Sequence, residues 1–165
     1  MSRYNAKVEA IRSTIRDGRV GDRKAIWRII RNRRLNPFGI DWSKFLVAVD
    51  PEERVIGIGQ LKSHRRDSVE LASIAVVRRY ERQGIATDII VSLIRRAEPG
   101  VWLSCLQKMR EFYRQFGFEE VPPKDVAPGY YRIFARVSSI IALFGGANQR
   151  VIAMRISDVP STLSD

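Results

Sequence analysis

The alternation of apolar and polar positions changes period several times along the chain, and each change marks an element. STIRDGRV, residues 13–20, alternates briefly and turns at Asp17-Gly18, as a short strand does. Asp22 then stands where a helix N-cap accepts from exposed backbone N–H groups, and Ile26, Ile29 and Ile30 follow at helical spacing. Asn36-Pro37-Phe38-Gly39 breaks the helix. KFLVAV (44–49) and RVIGIGQLK (54–62), joined through Asp50-Pro51-Glu52-Glu53, predict a hairpin. The polar turn SHRRDS (63–68) leads to a third strand, VELASIAVV (69–77). Ile85, Ile89, Leu93, Ile94 and Ala97 then predict an amphipathic helix over 84–98.

Pro99-Gly100 ends that helix, and VWLSCL (101–106) reads as a short buried strand. Met109, Phe112, Tyr113 and Phe116 mark a further helix closed by Gly117. GFEEV and YYRIFARV are expected as two final strands across the loop VPPKDVAPG. The expected order is β-α-β-β-β-α-β-α-β-β, an α/β protein with a mixed, largely antiparallel central sheet flanked by helices. One domain over 1–137 is expected, followed by a partly apolar extension over 138–165 with a mobile tail. VIAMRI in that extension fits either an added edge strand or a homodimer contact.

Composition narrows the class. The 165 residues are 45% hydrophobic and 28% charged, enough for one globular core. No apolar run approaches the length of a membrane span, and MSRYNAKVEAIR has no signal-like apolar region, so a soluble, cytoplasmic protein is expected. One cysteine and one histidine leave no His/Cys metal site, and no metal is expected. Lys and Arg outnumber Asp and Glu by 29 to 18, a net charge of +11 that attracts polyanions without saying which. Arg23, Lys24, Arg28 and Arg31 surround the first helix, either as a solvated face or as a binding surface.

The stretch VVRRYERQGIATDII, 76–90, concentrates the chemistry. A strand delivering the chain to a helix N-terminus presents unpaired N–H groups beside the positive end of the helix dipole, which favours phosphate. Gly84 gives clearance for an anion, Ala86 keeps the next position small, and Thr87 offers a hydroxyl. Neither a Walker loop nor a dinucleotide fingerprint is present. The alternative is an ordinary solvated loop.

Here the sequence resembles the GCN5-related N-acetyltransferase (GNAT) family, whose acetyl-CoA signature is [QR]-x-x-G-x-[GA]. Val76, Tyr80, Gly84, Ile85 and Ala86 stand where the family places its valine, its aromatic and its G-x-[GA], and FYRQFGFEEV (112–121) is similar to a later family motif. The resemblance covers roughly residues 12–137. It implies an N-acetyltransferase that moves the acetyl group of acetyl-CoA directly to an amine in a ternary complex. Ile74, Ala75 and Val76 would pair with the pantetheine arm, and the backbone of Glu81, Arg82, Gln83, Gly84, Ile85, Ala86 and Thr87 would hold the diphosphate. Tyr113 would protonate the leaving thiolate and Glu70 would serve as base. Glu81 departs from the family's Gln or Arg, so its side chain is expected to point away from the phosphates. Gln107 stands beside the place of a family asparagine that bonds the pantetheine.

Each assignment has a plainer counterpart. Glu70 could be a solvent-facing strand residue and Tyr113 a core aromatic. His64 reads as a solvated turn residue, Cys105 as core, and Trp27, Trp42 and Trp102 as packing. Two rivals remain: a CoA-binding sensor or scaffold without turnover, and a nucleic-acid binder using the arginines of 16–34. The second ranks last for want of surface aromatics among the basic residues. The acceptor falls to residues 30–43 and 122–130, which name no substrate class.

Overall fold

A computed structural model of the chain describes residues 12–37, 40–64, 68–98, 100–127, 130–132, 134–135, 138–139 and 150–157. The elements are β1 (Thr14–Asp17), α1 (Arg23–Asn32), β2 (Phe45–Val49), β3 (Val55–His64), β4 (Ser68–Val76), α2 (Ile85–Ile94), β5 (Val101–Leu106), α3 (Arg110–Arg114), β6 (Glu119–Val121) and β7 (Val151–Ile156). One seven-stranded sheet runs in the order β1-β2-β3-β4-β5-β7-β6. Every pairing is antiparallel except β4 with β5. The mixed α/β architecture and the element order as far as β6 follow the sequence pattern.

Both faces of the sheet are covered, which is why FLVAV is apolar throughout instead of alternating. Phe45, Val47 and Val49 join Ile26, Ile29 and Ile30 of α1 in one cluster. Leu46 and Ala48 join Ile85, Ile89, Ile90 and Leu93 of α2 in the other. Each such buried aliphatic contributes about 1.5–3 kcal/mol. Gly57 and Gly59 let α2 press against β3. A Cβ at Gly59 would lie 2.6 Å from both Ile74 Cδ1 and Ile89 Cγ2.

Two expectations about the C-terminal part are corrected. The described residues of 130–139 are helical, not a strand. Tyr130 and Phe134, one helical turn apart, both pack into a third cluster with Trp102, Val126 and Ala153. The last strand of the sheet is VIAMRI, which is neither an edge strand nor a free apolar face. It lies between β5 and β6, so the sheet continues beyond residue 137. The tail from 158 and most of SSIIALFGG lie outside the described residues. No helix among the described residues is long and apolar enough to cross a membrane.

Asp22 also departs from its expected part. It precedes α1 in a helical conformation, and its side chain caps no amide of α1. The carboxylate turns back, accepting from Arg16 Nη1 at 2.7 Å, Arg16 Nη2 at 3.2 Å and the Arg19 N–H at 2.7 Å. The Arg16 hydrogen bond, chiefly, holds this carboxyl below its ordinary range against the opposing effect of burial.

Gly59→Ala is expected to cost about 1–3 kcal/mol by overpacking α2 against β3. Gly21→Ala, where a Cβ meets nothing within 4 Å, should stay within about 0.5 kcal/mol. Urea unfolding of the two variants checks this. Because the folded state lowers the Asp22 pKa, its contribution is present above the unfolded value of about 4 and is lost as pH falls through the folded one. Asp22→Asn should therefore cost about 2–3 kcal/mol at pH 7. Its stability gap from the parent should close as the pH is taken well below about 4.

Candidate acyl-transfer site

β4 keeps β3 as a neighbour along its length but holds β5 at only two residue pairs, Val69↔Val101 and Glu70↔Trp102. Past that point the two parallel strands separate. Ala72, Ser73 and Ile74 on one side and Ser104, Cys105 and Leu106 on the other are half-buried, whereas Val101, Trp102 and Leu103 are buried. On the β3 side the register slips between Ile58 and Gln60, opposite Ser73, whose φ is +58°. This bulge bends β4 at the place where it leaves β5. An open edge of main chain results, at the carboxyl ends of parallel strands where α/β sheets bind ligands.

The chain leaves this edge in a tight, well-anchored loop. The Val77 N–H donates to Ile56 O at 2.7 Å, and Arg78–Tyr80 make a single helical turn. Tyr80 is buried, with Arg79 stacked 4.6 Å from its ring centroid and its hydroxyl 3.4 Å from Asp50 Oδ2. Arg82 (φ +59°) and Gly84 (φ +82°) are both left-handed, so the loop curls into a concave turn of backbone amides. Gly84 precedes α2 without any side-chain cap, and a Cβ there would meet nothing within 4 Å. The first helical bond runs from the Asp88 N–H to Gly84 O at 3.0 Å. The N–H groups of Ile85, Ala86 and Thr87 thus have no acceptor within the helix, beside the positive end of its dipole.

The Glu81 carboxylate forms an ion pair with Arg33, the residue that closes α1. Gln107 follows β5, its N–H donating to Arg150 O at 2.8 Å and its side chain half-buried. Tyr113 lies on α3 against Phe112 and Phe118, with ring centroids 5.2 and 6.2 Å away. Burial, then the neighbouring Cys105, raises its pKa, so the phenol holds its proton at neutral pH. Cys105 on the open half of β5 is pushed up to about 12, by burial first and Glu120 second, and stays a thiol.

Glu70 sits where β4 and β5 part, 8% exposed. It is not a solvent-facing residue. Its Oε1 accepts from the Tyr130 hydroxyl at 3.1 Å, and that hydroxyl lies 2.7 Å from Ser104 Oγ. Its Oε2 lies 2.9 Å from His64 Nε2, the ring nitrogen that carries the proton when the carboxylate accepts. His64 is therefore not a turn residue but the end of β3, and Lys62 on the same strand is Glu70's register partner. Burial, opposed by Glu70, lowers the Lys62 pKa. Nearby, fully buried Gln60 donates to Ser73 Oγ at 2.9 Å, and its Oε1 has no partner among the described residues.

The predicted residues thus fall into three places. Ile74–Val76 and Glu81–Thr87 are joined through one turn, Tyr113 neighbours Cys105 on the opposite strand, and Glu70 closes the base of the opening. Sequence reasoning missed His64, Tyr130, Ser104, Gln60 and Ser73. One signal was available: a lone acid in the apolar run VELASIAVV needs buried donors, and a hairpin turning through 64–68 brings His64 near it. Nothing in the sequence pointed to Tyr130.

Known proteins share the fold. Residues 41–120 match the acetyltransferase (GNAT) domain family. No curated protein matches the chain. Among solved structures, the fold is similar to N-acetylglutamate synthase from Neisseria gonorrhoeae, complexed with coenzyme A and N-acetyl-glutamate. That match has TM-score 0.67 and 15% identity over 91% of this chain and 36% of that one. This chain therefore spans about a third of that synthase. Rv2747 from Mycobacterium tuberculosis, solved in complex with CoA, is similar at TM-score 0.67 and 20% identity, over 88% of this chain and 99% of that one. A GNAT-family acetyltransferase from Staphylococcus aureus is similar at TM-score 0.63 and 15% identity, over 89% and 100%.

Tyr130→Phe should keep the ring stacked on Trp102, whose centroid is 5.2 Å away, yet remove a donor from buried Glu70. A stability loss of about 1–3 kcal/mol is expected. Urea unfolding should show that loss while near-ultraviolet circular dichroism from Trp102 stays as in the parent.

Proposed function

We propose that this protein is an acetyl-CoA-dependent N-acetyltransferase acting through a ternary complex. The observation that carries this reading is the parting of β4 from β5 immediately before an uncapped helix N-terminus. The open edge at Ile74–Val76 suits the amides of a pantetheine arm, which would add as a short strand. The amides from Arg82 to Thr87 suit a diphosphate, with Arg78, Arg79 and Arg82 adding favourable field. The Arg33 ion pair reconciles Glu81 with such a ligand, because it neutralises the carboxylate beside the amides. Gln107, half-buried just after β5, would bond the pantetheine from the opposite strand. Support also comes from the family match and from similar structures crystallised with CoA.

The acceptor amine must lose a proton before its nitrogen attacks the thioester carbon. Glu70 receives that proton. It precedes Ser73 by three residues, roughly 10 Å along a strand, so the transfer needs intervening water. Tyr130 and His64 fix both carboxylate oxygens, and His64, with 23% of its side chain exposed, opens the network toward solvent. Carbon–sulfur cleavage then releases a thiolate, and the Tyr113 hydroxyl supplies its proton. Cys105, held as a thiol, does not compete as a nucleophile.

The test is thiol release from acetyl-CoA across a panel of small amines, peptides and protein lysines. Tyr113→Phe should retain CoA binding by calorimetry and lose about 10²–10⁴-fold in kcat. Glu70→Gln should lower kcat within the same range. CoA binding with no thiol release on any acceptor would favour a sensor or scaffold instead.

A further inference from the structure

The exposed face of α1 carries a feature that acetyl transfer does not use. Ile26, Ile29 and Ile30 are buried in the core, while Arg23, Lys24, Trp27, Arg28 and Arg31 are exposed. Lys24, Trp27, Arg28 and Arg31 are spaced i, i+3, i+4, i+7 and so form one stripe along the helix. Trp27, expected as packing, is 44% exposed in the middle of it. The helix contains no acidic residue, and neither Arg23, Lys24, Arg28 nor Arg31 has an ion pair among the described residues. Arg16, Arg33, Arg54, Arg96 and Arg110, by contrast, are all paired with carboxylates. Like charges at i, i+4 weaken a helix, and the exposed part of an indole gains nothing from burial. Folding does not explain the stripe.

We propose that this face binds single-stranded nucleic acid, with phosphates on Arg23, Lys24, Arg28 and Arg31 and one base stacked on Trp27. Cationic side chains interleaved with an aromatic platform are the means by which proteins hold single strands without sequence preference. Guanidinium groups suit phosphate oxygens and also stack on bases. An anionic membrane fits less well, because a helix lying on a membrane inserts its apolar face and that of α1 is sealed against β2 and β3. An acidic peptide would match the charge but leave the indole unused. A helix of 10 residues spans roughly 15 Å, room for only a few nucleotides, so the affinity is modest and strongly salt-dependent. The inference does not depend on acetyl transfer.

The experiment is fluorescence anisotropy of labelled 12-nucleotide oligo-dT and oligo-U with the full chain at several salt concentrations. Four phosphate contacts predict log K falling against log[salt] with a slope of about −3. Trp27→Ala should weaken binding about 5- to 150-fold and leave that slope unchanged. Lys24→Glu with Arg28→Glu should weaken it more and flatten the slope. Arg114→Glu, an exposed reversal on α3, should change binding little. The proposal is overturned if Arg114→Glu weakens binding as much as Arg28→Glu does, since net charge alone would then be responsible. It is equally overturned if poly-glutamate or phosphatidylserine vesicles bind more tightly than the oligonucleotides, or if neither oligonucleotide binds at 50 mM salt. All variants are exposed substitutions, and unchanged thermal melts establish that each remains folded.

Discussion

β4 has to serve two neighbours with incompatible demands, and most of the molecule follows from how it does so. Toward β3 it must stay paired, because that ladder carries the bulged register on which Ser73 turns left-handed. Toward β5 it must let go after Glu70. A parallel pair can part only if something else fills the faces, and two packings do. α2 is pressed onto β3 through the gaps at Gly57 and Gly59, which keeps β4 in place from one side. β7 pairs along the full length of β5, from Val101↔Ile156 to Leu106↔Val151, and holds that strand from the other. The opening is thus a rigid consequence of the sheet, and the uncapped end of α2 is delivered to its mouth by one short loop.

Glu70 marks where the parting begins, and its burial imposes a second constraint. A buried carboxylate without donors would cost several kcal/mol. The donors come from a strand six residues earlier and a helical segment sixty residues later, His64 and Tyr130. Tyr130 is itself fixed by stacking on Trp102, which is Glu70's register partner on β5. The C-terminal part of the chain therefore completes the site's interior and not only the sheet. The same face carries Lys62 and the Gln60–Ser73 pair, so the polar groups of the opening are continuous with its base.

The elements whose apolar residues face one core were legible in the sequence. FLVAV, VWLSCL and the Ile85–Ile94 repeat declare their periods, and the Gly84 signature fixed the loop to within a residue. What could not be read was pairing between distant segments. Nothing in VIAMRI says that it enters between β5 and β6, because an interior strand and an edge strand with five apolar residues of six look alike. YYRIFARV satisfies both periods: its alternation suggests a strand, yet Tyr130 and Phe134 one turn apart also suit a helix against Trp102. His64 was misread for a related reason. Its polar neighbours argued for a loop, whereas its partner across the strand ends decides its role. Trp27 lies 44% exposed, because a helical position between isoleucines of the core can still face outward.

Glu81 shows how a local departure is absorbed by an element far away in sequence. A carboxylate beside amides suited to an anion opposes that anion, unless a cation takes up its charge. Arg33 supplies the cation from the residue that closes α1, at a point where the helix dipole also favours positive charge. With the two side chains 36% and 38% exposed, the pair adds under about 1 kcal/mol to folding. Its consequence is electrostatic and positional: it cancels the acid within the loop and ties that loop to α1. The Arg82 and Gly84 backbone can then keep the left-handed geometry that turns the amides outward. The acid at Glu81 is thus balanced within the folded chain by a cation from the basic helix next to it.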